Sequence, residues 1–186
     1  MKIEETGLRG LYVIKPQVRE DSRGFFMEVF REDIFKENGL NIEKFVQQNH
    51  SRSVKGVVRG LHFQYNPPLG KLIRVINGKA FVVAVDIRKK SITLGQWFGI
   101  ELSAENKNLL YAPAGFASGF AVTADVAEVE YLYTAPYNQA GESNILWNDE
   151  KIGIKWPDIS NPTLSDRDKN ARTLSEWLNT PESNLF

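Results

Sequence analysis

The run Phe81-Val82-Val83-Ala84-Val85-Asp86-Ile87 is apolar at both odd and even positions, so as a strand it has no face to offer water and needs cover on both sides. That limits the chain to folds in which this strand is interior. Around it lie further strand-like runs, each closed by a turn signal. Gly7 to Lys15, with Leu8, Leu11 and Val13, reads as a short edge strand ended by Pro16. Asp21 to Phe30 reads as a turn and then an aromatic strand; Phe45 to Ser51, Lys71 to Ile76, Trp97 to Leu102 and Asn108 to Tyr111 continue the pattern. Asn66 to Gly70 and Pro113-Ala114-Gly115 are turns, and Asn77-Gly78 between two apolar runs signals a hairpin, since both residues tolerate positive φ. Helix is confined to a turn or two from Phe35 to Leu40, interrupted by Gly39 and Asn41, a segment capped by Ser165 or Asp166 through Ala171, and an amphipathic turn from Thr173 to Leu178. Many short strands with few helices predict an all-β sandwich or barrel. At 186 residues, one domain spanning 1–186 is expected.

Charge narrows the partners. Lysine plus arginine and aspartate plus glutamate each number 23, so the net charge is zero and nothing favours nucleic acid or a membrane surface. The chain has no cysteine, which removes disulfides, thiolate catalysis and zinc–thiolate sites and fits a reducing cytoplasm. Its apolar runs, such as Ala80 to Val85, are too short to span a bilayer, and the amino terminus lacks a signal-like apolar core.

Acid–base chemistry starts from Arg59-Gly60-Leu61-His62-Phe63-Gln64, which holds one of only two histidines in a strand-like run. An imidazole with an anionic partner can act as a base near neutral pH, although a lone histidine in a β run is also a common hydrogen-bonded structural residue. Tyr131 and Tyr133 share a face of their strand, as general-acid candidates or as packed aromatics. Lys71, at the head of a strand with Ile73 and Val75 as same-face neighbours, is either solvated or, turned inward, a cation suited to a developing oxyanion. Two histidines and no His-x-His pair speak against a cupin-type metal site, leaving only a two-histidine, one-carboxylate set, and His50 reads as structural at a strand end. No Gly-rich loop leads into a helix, so a nucleotide would be held by side chains, with Arg23, Arg59, Arg74 and Arg167 as phosphate candidates.

Eight stretches, in order, resemble the dTDP-4-dehydrorhamnose 3,5-epimerase family: Asp21 to Phe26, Phe45 to Ser51, Arg59 to Gln64, Val83 to Arg88, Leu102 to Asn106, Pro113 to Phe120, Ile145 to Asp149 and Leu164 to Asp168. The resemblance implies a jelly-roll (cupin-like) β-barrel, a homodimer, and catalysis with no metal or redox cofactor. It implies a nucleotide-sugar substrate, dTDP-4-keto-6-deoxyglucose, inverted at C3 and C5 through an enolate. It also implies His62 as base, Asp168 as the carboxylate that orients it, Tyr131 as acid and Lys71 as the cation near the sugar oxygen. For substrate binding it implies Arg23, Glu28, Gln47, Asn49, Arg59, Glu142 and Arg167, with Tyr137 stacking on the base. In an unbroken strand Arg59 and His62 would face opposite ways, so either Gly60 marks a bulge or Arg59 serves another part of the site.

The departures bear on substrate choice. The family's Gly-Phe-Ala-His-Gly-Phe is Gly115-Phe116-Ala117-Ser118-Gly119-Phe120 here, Val82 stands where the family has aspartate, and the loop Tyr65 to Gly70 is about one residue shorter. Lost together, the histidine and the acid suggest that a charge pair at the sugar has become a smaller, less polar surface around Ser118. Three rivals follow: an epimerase of one centre or of another nucleotide sugar, a non-catalytic sugar-nucleotide-binding jelly roll, and a metal-dependent cupin enzyme.

Overall fold

A computed structural model of the chain describes every residue except 41, 43, 158 and 160. Two long strands organise it. β7 (Lys71–Asp86) and β10 (Phe116–Tyr133) pair antiparallel along most of their length, and each passes through both layers of a jelly-roll barrel. The first half of β7 and the last half of β10 lie with β9 (Leu109–Ala112), β2 (Tyr12–Lys15), β1 (Lys2–Glu5) and β5 (Gln47–Val54). Their other halves lie with β8 (Trp97–Ser103), β6 (Val58–Gln64) and β11 (Glu142–Asn144). β3 (Val18–Asp21) and β4 (Gly24–Met27) form a separate hairpin.

The expected hairpin at Asn77-Gly78 is not there. β7 runs straight through it, and the positive φ of Gly78 (68°) serves a bend where the pairing with β10 shifts register. Contact makes glycine necessary: a Cβ on Gly78 would lie 1.8 Å from the Val126 carbonyl oxygen. Nor is the strand before Pro16 an edge, because β2 sits between β1 and β9 and the Lys2–Glu5 strand takes the edge. Asn41 lies outside the described residues.

The period-two pattern explains the packing. Val82 and Ala84 point into the barrel with Ile73, Val75, Leu110, Phe120 and Val129, while Val83, Val85 and Ile87 point outward under Leu61, Phe63, Ile145, Leu174 and Trp177. Both faces of Phe81–Ile87 are thus covered, the outer one by the chain after β11. Each fully buried valine or isoleucine is worth about 1.5–3 kcal/mol, which is what holds this carboxy-terminal cover down. On the other layer, Phe35 of α1 (Glu32–Glu37) packs with Ile14, Leu72 and Leu109. Both carboxy-terminal helices start as their capping residues dictate. Ser165 caps α2 (Asp166–Lys169) by accepting from the Asp168 N–H, and Thr173 with Glu176 forms a capping box at α3 (Leu174–Leu178).

Candidate active site

His62 lies on β6, paired with Ser118 of β10 on one side and Asn144 of β11 on the other. Its partner comes from 106 positions away: His62 Nε2 and Asp168 Oδ1 are 2.6 Å apart. The path that brings them together is built from backbone pairing. Thr163 bridges to Val57, its N–H donates to the Gly56 carbonyl, and its own carbonyl accepts from the Val58 N–H. The segment 163–168 therefore runs beside the start of β6. Asn144 Nδ2 donates to the Arg167 carbonyl and fastens α2 to β11, and the Ser165 cap fixes the turn that carries Asp168. Asp168 is 2% exposed. Burial alone would raise its carboxyl pKa, but hydrogen bonds from His62, Ser165 and the Gly60 N–H together with the imidazole's charge hold it below the usual carboxylate value. It stays an anion behind the imidazole.

Gly60 resolves the facing of Arg59. The pairing of β6 with β10 shifts between Ser118 and Phe120, and Gly60 takes φ 121° at that irregularity. A Cβ there would stand 2.6 Å from the Gly119 Cα. With this bulge Arg59 and His62 line one cavity, of about 170 Å³, together with Ser51, Lys71, Ile73, Val82, Ser118, Phe120, Tyr131 and Tyr133. Typical ligand pockets are about 300–1,000 Å³, so this space suits a sugar ring while a nucleotide would extend outside it.

Lys71 turns inward. Its Nζ donates to the His62 carbonyl (2.8 Å) and to Ser118 Oγ (3.1 Å). Burial brings its pKa down to about 8, with Glu142 opposing and Arg167 adding to the shift, so it is an ammonium at neutral pH. Tyr131 comes from the other layer, on the half of β10 that pairs with β5. Burial pushes its phenol well above the ordinary value, so it is a protonated O–H at neutral pH, with Ser51 Oγ 3.4 Å from its hydroxyl. Tyr133, on the same face as expected, is pushed up to about 12, chiefly by burial.

A second cluster sits at the mouth. Glu142 accepts from Tyr137 Oη (2.9 Å) and Arg167 Nη1 (2.7 Å), and Gln47 accepts from the Tyr137 N–H while donating to Asn49. Tyr137 is 48% exposed. The fold thus brings together His62, Asp168, Lys71, Tyr131, Ser118 and Arg59 at the cavity, and Gln47, Asn49, Tyr137, Glu142 and Arg167 beside it. Arg23 and Glu28 are not brought to it. Arg23 is bound to Asp21 at the tip of the β3–β4 hairpin, and Glu28 lies beyond β4 near Arg31. Arg74 is turned to the opposite face of its strand, paired with Glu130. His50 is in the middle of β5 and not at its end, paired outward with Glu128. Among the described residues no three His, Asp or Glu side chains cluster as metal ligands. The sequence reading missed Ser51, whose signal was present: Gln47, Asn49 and Ser51 alternate onto one face of β5.

This geometry has close relatives. Residues 5–176 match the family model described as dTDP-4-dehydrorhamnose 3,5-epimerase. The curated dTDP-4-dehydrorhamnose 3,5-epimerase of Methanothermobacter thermautotrophicus is 48% identical over 174 residues, 92% of this chain and 94% of that one. The solved structure of a dTDP-6-deoxy-D-glucose-3,5-epimerase from Legionella pneumophila, in complex with dTDP-4-keto-L-rhamnose, superposes with a TM-score of 0.92 at 42% identity, covering 98% of this chain and 96% of that one. A 3'-monoepimerase from Streptomyces bikiniensis, in complex with dTDP-quinovose, superposes with a TM-score of 0.85 at 32% identity, covering 91% of this chain and 86% of that one. With the family model matched along nearly its whole length, the chain belongs to the dTDP-4-dehydrorhamnose 3,5-epimerases, a family of isomerases.

Proposed function

We propose that the chain inverts C3 and C5 of dTDP-4-dehydro-6-deoxy-D-glucose, giving dTDP-4-dehydro-L-rhamnose. The observation that carries this reading is the His62–Asp168 dyad on one layer of a cavity whose other layer supplies a protonated Tyr131, with the Lys71 ammonium between them. The 4-keto group acidifies the hydrogen on the adjacent carbon. His62 takes that proton and becomes imidazolium, which the Asp168 carboxylate stabilises. The electron pair moves into the carbon–carbon bond and the ketone π-pair onto oxygen, leaving an enolate beside Lys71. Tyr131 then donates its proton to the carbon from the opposite face and the carbonyl re-forms, so the centre is inverted. Solvent resets the imidazolium and the phenolate. A well-placed proton donor is worth about 10²–10⁴ in rate.

In this reading the side chains of Tyr137, Glu142, Arg167, Gln47 and Asn49 hold the nucleotide outside the cavity, and residues 1–186 act as one domain. The protein works as a homodimer in the cytoplasm. The support for a dimer is the detached β3–β4 hairpin, on which Phe25 and Phe26 are 58% and 67% exposed. Arg23 and Glu28, assigned to the substrate by resemblance but remote from this chain's own cavity, fit a role at the partner's site. A cysteine-free composition supports the location.

Ser118 and Val82 in the cavity, with the likeness to a 3'-monoepimerase, favour a second reading in which one centre is inverted. Incubation with dTDP-4-keto-6-deoxyglucose in heavy water separates the two: deuterium at both C3 and C5 is expected, deuterium at one carbon selects the second reading, and none contradicts both.

A further inference from the structure

We propose that Ser118 and Lys71 together form a two-donor oxyanion hole, Ser118 accepting a hydrogen bond from the ammonium and giving its own hydroxyl proton to the ketone oxygen of the substrate. The inference rests on the epimerase reading and assigns to Ser118 a chemical task in it.

Four observations carry it. Lys71 and Ser118 are both buried, at 8% and 5% exposure, and both line the cavity. Ser118 Oγ, at 3.1 Å, is the one side-chain acceptor of the Lys71 ammonium among the described residues, the other acceptor being the His62 backbone carbonyl. Two of the three ammonium N–H groups are used in these bonds, the ammonium also lies 5.9 Å from the centroid of the Tyr133 ring, and its third N–H makes no hydrogen bond and no ion pair among the described residues. The third observation is that the hydrogen bond into Ser118 uses an oxygen lone pair and leaves its O–H proton free, with no acceptor for it among the described residues. Two buried donors, one charged and one neutral, therefore face the same cavity with a hydrogen left to give. The enolate oxygen formed by His62 is the acceptor that matches them.

The fourth observation is rigidity. Ser118 is held between Ala84 of β7 and His62 of β6 at the centre of its layer, so its hydroxyl is positioned by paired backbone on both sides. Lys71 in turn bonds to the backbone of the residue that carries the base. Base, cation and neutral donor are thereby locked into one frame, the arrangement in which fixed donors act without reorganising. A serine in this place donates without titrating. The alkaline limit of this donor pair is then set by Lys71, whose ionisable surroundings are His62 and Arg59 on β6, Tyr131 and Tyr133 on β10, Glu142 on β11, and Arg167 and Asp168 on α2.

The test compares Ser118→Ala, Ser118→Cys and Ser118→Thr with wild type in deuterium exchange and in kcat and KM across pH, with circular dichroism confirming that each variant folds. Ser118→Ala is expected to lower kcat by about 10²-fold with little change in KM, as loss of one oxyanion donor does. Its alkaline limb moves to lower pH, because the ammonium has lost an acceptor. Ser118→Cys, close in shape but a weak donor and acceptor, behaves like the alanine variant, and Ser118→Thr recovers most of the rate. Folded alanine and cysteine variants with wild-type kcat and an unmoved alkaline limb would overturn the assignment of Ser118 alone. Absence of exchange in the wild type overturns the epimerase reading and the assignment with it.

Discussion

Lys71 and Asp168 are both buried charges whose folded-state pKa values lie below the ordinary ones, so each makes stability rise with pH, in separate windows and for opposite reasons. The Asp168 carboxyl is held below its ordinary value, so its contribution is present above about pH 4 and is lost as pH falls through the folded-state pKa. Lys71 acts in a higher window and through the opposite cause, burial disfavouring its charged form. Its pKa falls from 10.5 to about 8, so the folded chain carries the full cost of a buried ammonium below pH 8 and sheds it between pH 8 and 10.5, where the unfolded chain still holds its proton. Lys71→Met is therefore expected to be more stable relative to wild type at pH 7 than at pH 10, while losing about 10²–10³-fold in kcat with the oxyanion donor. Urea unfolding at the two pH values checks this, and an equal difference at both would contradict it. Asp168→Asn keeps the shape of the dyad but removes its charge. Epimerisation should fall by about 10²-fold or more, and the loss of stability towards low pH should become shallower than in wild type, as read from thermal unfolding between pH 3 and 6. A lone histidine and a lone lysine in strand-like runs were visible as chemistry in the sequence, but not as a working pair. Asp168 reaches His62 only because Thr163, Ser165 and Asn144 lay one segment against another, and no local pattern encodes that.

At the scale of the element, two glycines decide which side chains reach the cavity. Gly60 places the bulge that turns Arg59 and His62 to the same side, and Gly78 places the bend that lets β7 serve two layers. Gly60→Ala forces a Cβ into the Gly119 backbone and leaves a non-glycine residue at strongly positive φ, a conformation costing about 1–3 kcal/mol before the clash is counted. Its melting temperature and its exchange rate at the substrate carbons should fall together, whereas a drop in stability with unchanged exchange would mean that the bulge does not aim the base. The parity of Arg59 and His62, once the resemblance placed both at the substrate, left either a bulge at Gly60 or another place for Arg59, and the register shift against β10 decides for the bulge. The bend at Gly78 was read as a hairpin because both need a residue that accepts positive φ; what separates them is the partner strand, some fifty positions further on, whose register shift the local sequence does not show. The run Phe81–Ile87, in contrast, announced its double cover correctly, since a strand with no polar face has no alternative.

At the scale of the molecule, three apolar clusters build one inside the barrel and one against the outer face of each layer, and that is why a chain with so little helix still buries both sides of its central strands. The β3–β4 hairpin stays outside this scheme, with its phenylalanines largely exposed and the Lys107 ammonium over the Phe25 ring. If it docks on a second copy, Phe25→Ser with Phe26→Ser shifts the protein from dimer to monomer in light scattering and weakens nucleotide-sugar binding, and an unchanged dimer contradicts that role. The central claim concerns two proton transfers on opposite faces of a sugar. Its most direct measurement is deuterium incorporation at C3 and C5 of dTDP-4-keto-6-deoxyglucose, set beside the configuration of each carbon, for wild type, His62→Ala and Tyr131→Phe. The account predicts exchange with inversion at both carbons in wild type, loss of exchange in His62→Ala, and exchange largely without inversion in Tyr131→Phe; unimpaired inversion in either variant would contradict it.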